Sequence, residues 1–475
     1  MASDPHRWRV LAVVATAFFM TILDVSIVNV ALPSIGRDLH FSQANLQWVI
    51  TAYAISFGGF LLLGGRAADL IGRRLVFIAG VALFTVASLV CGLAQNEGML
   101  IASRAVQGLG GAIISPAALS IVMTSFEEGA ERNKALGVWG ALGGSGAAVG
   151  VLAGGVLTDY LSWRWIFFVN VPVGALVLAL APRIVPESRR DAAERRYDAL
   201  GAVLVSAGLA LLVYAISEAP NVGWGTARTI LLLIAAGALL VAFLVNERRV
   251  RDALMPFHIF QVRTVTGANV VGFLLGSVLF ANFFLLTLYV QDVLGYSPLK
   301  TGLTFIATAG TAIVAAGAAQ ALTTRFGAKP IIAIGLALLT GAMIWYAQIP
   351  VHGKFASNLL PEYVMVGVGI AFAFVPVSIA ALAGVAEREA GLASGLINTS
   401  QQIGGAIGTA VASTVFATHF KALVRTGHSV PYALTHGYAY GFWALAFFGA
   451  AAIIAALTLI RREEMAETPA TAPIA

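Results

Sequence analysis

The sequence predicts an all-α protein dissolved mostly in lipid, and three observations predict it. Of 475 residues, 59% are hydrophobic and only 11% charged, a balance far from that of soluble domains. Apolar runs of roughly 18 to 25 residues, each long enough to cross about 30 Å of hydrocarbon, recur along the whole chain. Fifty glycines, many inside those runs, suit helices that meet at close range in a bilayer. The lone cysteine, Cys91, allows neither an intrachain disulfide nor a cysteine metal cluster.

In chain order the runs begin near Val10, Leu46, Leu75, Met99, Ala135, Trp165, Ala199, Ala227, Thr264, Thr301, Pro330, Leu359, Gly391 and Gly437, which makes fourteen spans. The first, to about Ala31, is too long for a signal-peptide core and lacks a small-residue cleavage site, so it is expected to be retained. An even number of spans puts both termini on one side. Lysine and arginine decide which: about 21 fall on the termini and even-numbered connectors, among them Arg7, Arg9, Arg66, Arg132, Lys134 and the stretches Arg183 to Arg196 and Arg248 to Arg263. About seven fall on the odd-numbered connectors, such as Arg37, Arg164 and Lys354. Both termini are therefore expected in the cytoplasm, and the net charge of +6 reads as membrane orientation rather than a nucleic-acid surface.

The two ends of the chain echo each other. GRAADLIGRR (Gly65 to Arg74) follows the second span, and the degenerate RFGAK (Arg325 to Lys329) follows the tenth. Span five carries Gly146, Gly150 and Gly154 at four-residue steps; span thirteen carries Gly391 with Gly395 and Gly404 with Gly408. The pattern predicts a six-helix half over 1–183, an inserted helix pair with basic linkers over 184–263, a second half over 264–460 and a tail over 461–475.

Asp24 lies inside the first run, in LDVSIVNVALP. An ionisable group at membrane depth is costly and marks function by default. Arg104 is the other charge well inside a run. At 1.5 Å per residue, Asp24 is expected roughly 10 Å and Arg104 roughly 8 Å below the outer ends of their helices. An aspartate beside an arginine is held as the anion, and one that loses that partner in a dry site binds a proton more readily. A static ion pair tying spans one and four together is the alternative. Fixed buried pairs often stabilise little, whereas intramembrane carboxylates commonly line ion pathways, which favours proton coupling. Gln107, Gly108 and Gly111 share the Arg104 face and are expected to admit water or substrate to it.

In the second connector, Gly65, Asp69, Gly72, Arg73 and Arg74 form a candidate cytoplasmic gate. Basic residues alone are common in membrane loops, but an aspartate and two glycines at these offsets are not. The stripe of Gly146, Gly150, Gly154 and Gly155 specifies close helix contact, against a moving or a static partner equally. Asn269, Asn282, Asn398, Gln401 and Gln402, with Phe283, are candidate substrate contacts for an amphiphile, or else simple interhelical hydrogen bonds. Asp292 reads as a solvated helix end. With Asp24 the single deep acid, neutral, monocationic or anionic amphiphiles are expected over dications. All seven histidines fall in connectors or near span ends. No phosphate-cradling loop, zinc-helix pair or nucleophile elbow is present, which argues against an enzyme, an ATP-driven pump or a metal site.

These segments resemble the major facilitator superfamily, specifically its 14-helix drug:proton antiporter branch, over nearly the whole chain. LDVSIVNVALP is similar to that branch's first-helix motif, GRAADLIGRR to the superfamily's signature between helices two and three, and RAVQGLGGA (Arg104 to Ala112) to the fourth-helix motif. WRWIFFVNVP (Trp163 to Pro172) and GLASGLINTSQQIGGAIG (Gly391 to Gly408) also resemble family segments. One departure stands out: Val151 follows Gly150 where the fifth-helix motif usually has proline, removing a bend. Ala67 and Leu70 also replace commoner residues of the loop signature. The resemblance implies two halves rocking about a central site, with Asp24 taking a proton from outside, Arg104 responding to its charge, and Asp69, Arg73 and Arg74 latching the cytoplasmic side. It implies export of drugs, antibiotics or dyes across the plasma membrane, with the proton as coupling ion, no other cofactor, lipids as neighbours and a functional monomer. Export of an endogenous lipid, fatty acid or secondary metabolite is the alternative, and a nontransporting receptor or scaffold on the same fold a third.

Overall fold

In the computed structural model, residues 6–42, 45–126, 130–187, 198–250, 257–351, 353–383, 385 and 390–461 are described. Their regular elements are all helical: α1 (His6–Asp38), α2 (Trp48–Ile71), α3 (Arg73–Gly92), α4 (Glu97–Ser125), α5 (Ala130–Tyr160), α6 (Trp165–Phe168), α7 (Asn170–Ile184), α8 (Ala199–Val222), α9 (Ala227–Arg249), α10 (Arg263–Leu288), α11 (Pro298–Phe326), α12 (Ala328–Tyr346), α13 (Phe355–Asn358), α14 (Leu360–Ala380), α15 (Ala390–Arg425) and α16 (Val430–Leu459). A 3-10 turn (Phe257–Gln261) precedes α10 and a π turn (Tyr289–Val293) follows it. Twelve described helices are long and apolar enough to cross a membrane, while α2 and α5 contribute shorter apolar stretches, Trp48–Leu61 and Val149–Tyr160.

The run expected from Trp165 forms one span, Trp165–Ile184, with Val169 between α6 and α7 keeping helical backbone, and α1 continues past Ala31 through Pro33 to Asp38. That extension is anchored. Asp38 accepts from the Trp163 indole at 2.9 Å and from Arg164 Nη1 at 2.5 Å. The start of α1 lies beside the end of α4 and the start of α5, through Trp8 on Phe126 and Arg7 to Glu131 at 2.6 Å. The end of α16 lies beside the start of α10, where the Arg461 N–H donates to the Thr264 hydroxyl at 3.1 Å. We call this the terminal end, and the end carrying the α1–α2 connector the distal end.

Within 6–187, α1 packs on α5 and α7, and α4 on α2 and α3; within 263–459, α10 packs on α15 and α16, and α14 on α11 and α12. The glycine stripes explain the paired arrangement. A Cβ on Gly150 would collide with the Ser26 hydroxyl of α1, and one on Gly408 with Ser277 of α10. The same serines donate to the carbonyls of Gly146 (3.4 Å) and Gly404 (2.9 Å). This equivalence places apolar Leu275 where α1 carries Asp24. Small residues let these backbones meet where a side chain would hold them apart.

The two loop echoes also match. Gly72 turns α2 into α3 at φ 127° and Gly327 turns α11 into α12 at φ 87°, conformations that cost an L-residue about 1–2 kcal/mol. Gly72→Ala and Gly327→Ala should each lower thermal stability in detergent by about that amount. By contrast, Gly237→Ala in open space on α9 should be neutral or gain up to about 1 kcal/mol. A Gly72→Ala protein as stable as Gly237→Ala would contradict the turn's strain.

α2 meets α15, and α5 meets α11, along a seam. At the distal end Gln291 Nε2 donates to the Val30 carbonyl at 2.7 Å, Gly155 abuts Leu299, and Gly302 abuts the Val151 carbonyl. α8 rides over the α2–α15 side of this seam: Gln47 Nε2 donates to Ser217 at 2.5 Å and Thr414 to the Ile216 carbonyl at 3.1 Å. α9 packs outside α8, tied at its end by Asn246 donating to both oxygens of Asp198.

Candidate functional site

Asp24 sits on the turn of α1 that the α5 glycines seat, since Gly146 faces Ile22, Gly150 faces Leu23 and Ser26, and Gly154 faces Ile27. Opposite, Gly108 and Gly111 bring α4 against Tyr53 and Phe57 of α2. Arg104 is thereby carried into the space between α1 and α2. Its Nη1 donates to Asp24 Oδ2 at 2.6 Å and to Gln107 Oε1 at 2.6 Å, and its Nε to the Val49 carbonyl at 2.8 Å. The guanidinium lies over Tyr53, 4.4 Å from the ring centroid, with Phe167 at 5.7 Å. Asp24 Oδ1 accepts from Gln107 Nε2 at 2.8 Å and Asn170 Nδ2 at 3.0 Å. Behind it, Asn170 also donates to Ser88 (3.0 Å), whose hydroxyl donates to the Phe167 carbonyl (2.9 Å).

Asp24 is 0% and Arg104 1% exposed. Five helices thus converge on one dry ion pair whose hydrogen bonds are charge-assisted and short. Such a pair stabilises little relative to an apolar filling, but removing one member leaves a buried charge and costs about 3–5 kcal/mol.

Asp24 and Arg104 come together as the sequence predicts. Gln107 is fully buried in this arrangement and bridges the pair. Gly108 and Gly111 are close-approach points against α2, not openings. The sequence reading passed over three partners, Tyr53, Ser88 and Asn170. Only Asn170 carried a signal, as an amide within the WRWIFFVNVP segment.

At the terminal end, Gly65 packs on Pro116 and Gly72 makes the turn already described. Arg73 is half-buried in the first turn of α3. Arg74 pairs with Glu187 (3.6 Å) and donates to the carbonyls of Pro182 and Val185 at 3.4 Å, so these contacts join α3 to the end of α7 and not to residues across the seam. Asp69 belongs to α2; its side chain lies outside the described residues.

The six remaining candidate substrate contacts divide. Asn269 and Gln401 belong to the α10–α15 packing, Asn269 accepting from Ser400 at 2.9 Å and Gln401 pressed against Gly276. Gln402 reaches Gly58 across the seam. Asn282 is buried with its carbonyl oxygen unpaired, Phe283 stacks on Phe305 at 5.2 Å, and Asn398 is exposed, bonded to its own helix at Ser394. Asp292 is half-buried and accepts from Tyr438 at 3.3 Å, so it is not a solvated end. Nor is Asp24 the single buried acid of the spans. Glu362, in the first turn of α14, is 0% exposed at a helix start that the sequence alone leaves at the water boundary.

The sequence profile described as the Major Facilitator Superfamily matches residues 14–409. The chain is 40% identical to the puromycin resistance protein pur8 of Streptomyces alboniger, over 99% of this chain and 95% of that protein. It is also 40% identical to the cephamycin export protein CmcT of Amycolatopsis lactamdurans, over 85% and 84% respectively. Among solved structures, a bacterial homologue of the human lysosomal transporter Spinster, inward-facing and unoccupied, aligns with a TM-score of 0.67 over 98% of this chain and 100% of that one, at 18% identity, a likeness of fold.

Proposed function

Because the chain belongs to the major facilitator superfamily, and so is a multi-pass transporter of the plasma membrane and not an enzyme, we propose that it is a proton-coupled exporter of amphiphilic, antibiotic-like small molecules. The reading takes fourteen spans with cytoplasmic termini, halves at 1–183 and 264–460, and the pair within 184–263 as an insertion. The resistance and export proteins to which it is similar support the substrate class. With the distal end outside, the seam contacts there fit an inward-facing state.

The observation that carries the reading is the set of partners Arg104 keeps when Asp24 is neutral. Protonation of Asp24 weakens the 2.6 Å pair, yet the guanidinium still has the Val49 carbonyl, the Gln107 carbonyl and the Tyr53 face. A buried arginine with no such alternatives would make protonation prohibitive. Here the proton loosens α1 from α4 and α7 and leaves the Arg104 charge without its counter-ion but still held by neutral acceptors and a ring face. The freed α1 bears on the glycine face of α5, and Gly155 of that helix abuts α11 across the seam. Asp24 is thus the proton carrier, Arg104 the group that registers its charge, and the Gly72–Arg74 turn with Asp69 part of the cytoplasmic gate. Gln402, a polar seam group, and the exposed Asn398 of the same helix are the remaining substrate contacts.

Proteoliposomes holding a pH-sensitive dye test this. Added puromycin or a related amphiphile should move protons in the direction opposite to the drug, in proportion to protein. If no compound of a diverse panel moves protons while labelled drug still crosses, the proton coupling fails; if neither crosses, the export reading fails.

A further inference from the structure

Glu362 is a second ionisable group that the Asp24 site does not use. Both its carboxylate oxygens are buried without a hydrogen-bond partner, and among the described residues no ion pair reaches it. Around it stand phenols. Tyr289 of the π turn, Tyr346 of α12 and Tyr363 of α14 lie near enough to feel its charge, and all three are 0% exposed. Tyr289 donates to the Pro350 carbonyl at 2.7 Å and Tyr363 is bonded to Thr304 at 3.0 Å, whereas the Tyr346 hydroxyl has no partner. The cations at this end are turned elsewhere: Lys300 lies over the Tyr296 ring at 3.5 Å, Lys354 is exposed, and Arg37 acts on Asp292, which accepts from Tyr438 of α16. His352 lies outside the described residues.

A carboxylate ion shut off from the solvent surface, with no ion pair among the described residues, is costlier than the acid. The segments around Glu362 are also those that close the distal seam. Two residues after Tyr289, Gln291 donates to Val30 of α1; two residues before Thr304, Gly302 meets Val151 of α5. Opening the seam moves both segments and lets water reach the carboxyl.

We propose that Glu362 binds a proton while the distal seam is closed, a second proton site in the half whose counterpart of Asp24 is Leu275. A group that holds its proton more tightly in the closed arrangement shifts the equilibrium towards closure when it is protonated. Acid on the distal side then promotes closing of the seam after the proton is taken up. Which compartment supplies that proton rests on the orientation proposed above; the protonation itself does not.

Infrared spectroscopy of the purified full-length protein tests it without any transport assay. At neutral pH the spectrum should contain a protonated-carboxyl C=O band that is lost at alkaline pH, is absent from Glu362→Gln, and persists both in Asp24→Asn and in Glu247→Gln, Glu247 being the buried glutamate near the end of α9. Should Glu362→Gln fold poorly, unmutated protein grown on 13C-labelled glutamate serves instead, and the band must shift. A spectrum without this band, a band that survives Glu362→Gln, or one unmoved by labelled glutamate overturns the proposal. Each of those results leaves export coupled through Asp24 intact, and loss of drug-driven proton movement leaves the Glu362 band intact.

Discussion

Asp24→Asn is expected to reduce uphill drug export in proteoliposomes to the level of empty vesicles while downhill exchange of labelled drug continues. The side chains are nearly isosteric, and the amide keeps an oxygen for Arg104 or Gln107. What disappears is the charge whose gain and loss drive the cycle. The structural cost reaches at most the about 3–5 kcal/mol of a buried charge without its counter-ion, since Arg104 retains the Val49 and Gln107 carbonyls and the Tyr53 ring. Thermal stability in detergent should therefore fall by no more than that. Retained exchange matters most, since a misfolded carrier loses exchange and pumping together. Uphill export by Asp24→Asn at the unmutated rate would remove Asp24 from the coupling step.

The helices, the internal echo and the Asp24–Arg104 pair were legible in the sequence because each depends on local facts. Run length reports membrane crossing, glycine spacing reports close approach, and a charge in an apolar run needs a partner of opposite sign. Gly150 on Ser26 and Gly408 on Ser277 show how far such spacing carries, down to equivalent atoms in two distant segments. The remaining features depend on which helix faces come together. Gln107 looked like a lining residue since helical spacing says only that it shares a face with Arg104, not that α1 closes over that face. Asn170 and Ser88 became visible once α3 and α7 were placed beside α1. Glu362 was read past for a related reason: a helix start is at the water boundary unless the surrounding fold covers it, and this one is 0% exposed.

The largest stability effect should come from Arg104→Gln, and its pairing with Asp24→Asn separates two readings of the same geometry. Alone, Arg104→Gln leaves Asp24 with Gln107 and Asn170 as donors but no counter-charge, a loss of about 3–5 kcal/mol that thermal unfolding will show. Arg104→Lys keeps the charge, yet one ammonium cannot reproduce the guanidinium's planar fork to Val49, Asp24 and Gln107 or its stacking on Tyr53; an intermediate loss is expected. The double variant Asp24→Asn, Arg104→Gln buries two neutral amides that can bond each other, so it should be more stable than Arg104→Gln alone, a positive coupling of the kind adjacent residues show. If the pair only ties α1 to α4, this repaired, uncharged contact should also restore uphill export. If Asp24 carries the proton, the double variant should be as stable as Asp24→Asn, exchange drug downhill and pump nothing. A stable double variant that pumps would make the pair a structural tie and move the coupling role to another group; a stable one that does not pump would place it on the carboxylate.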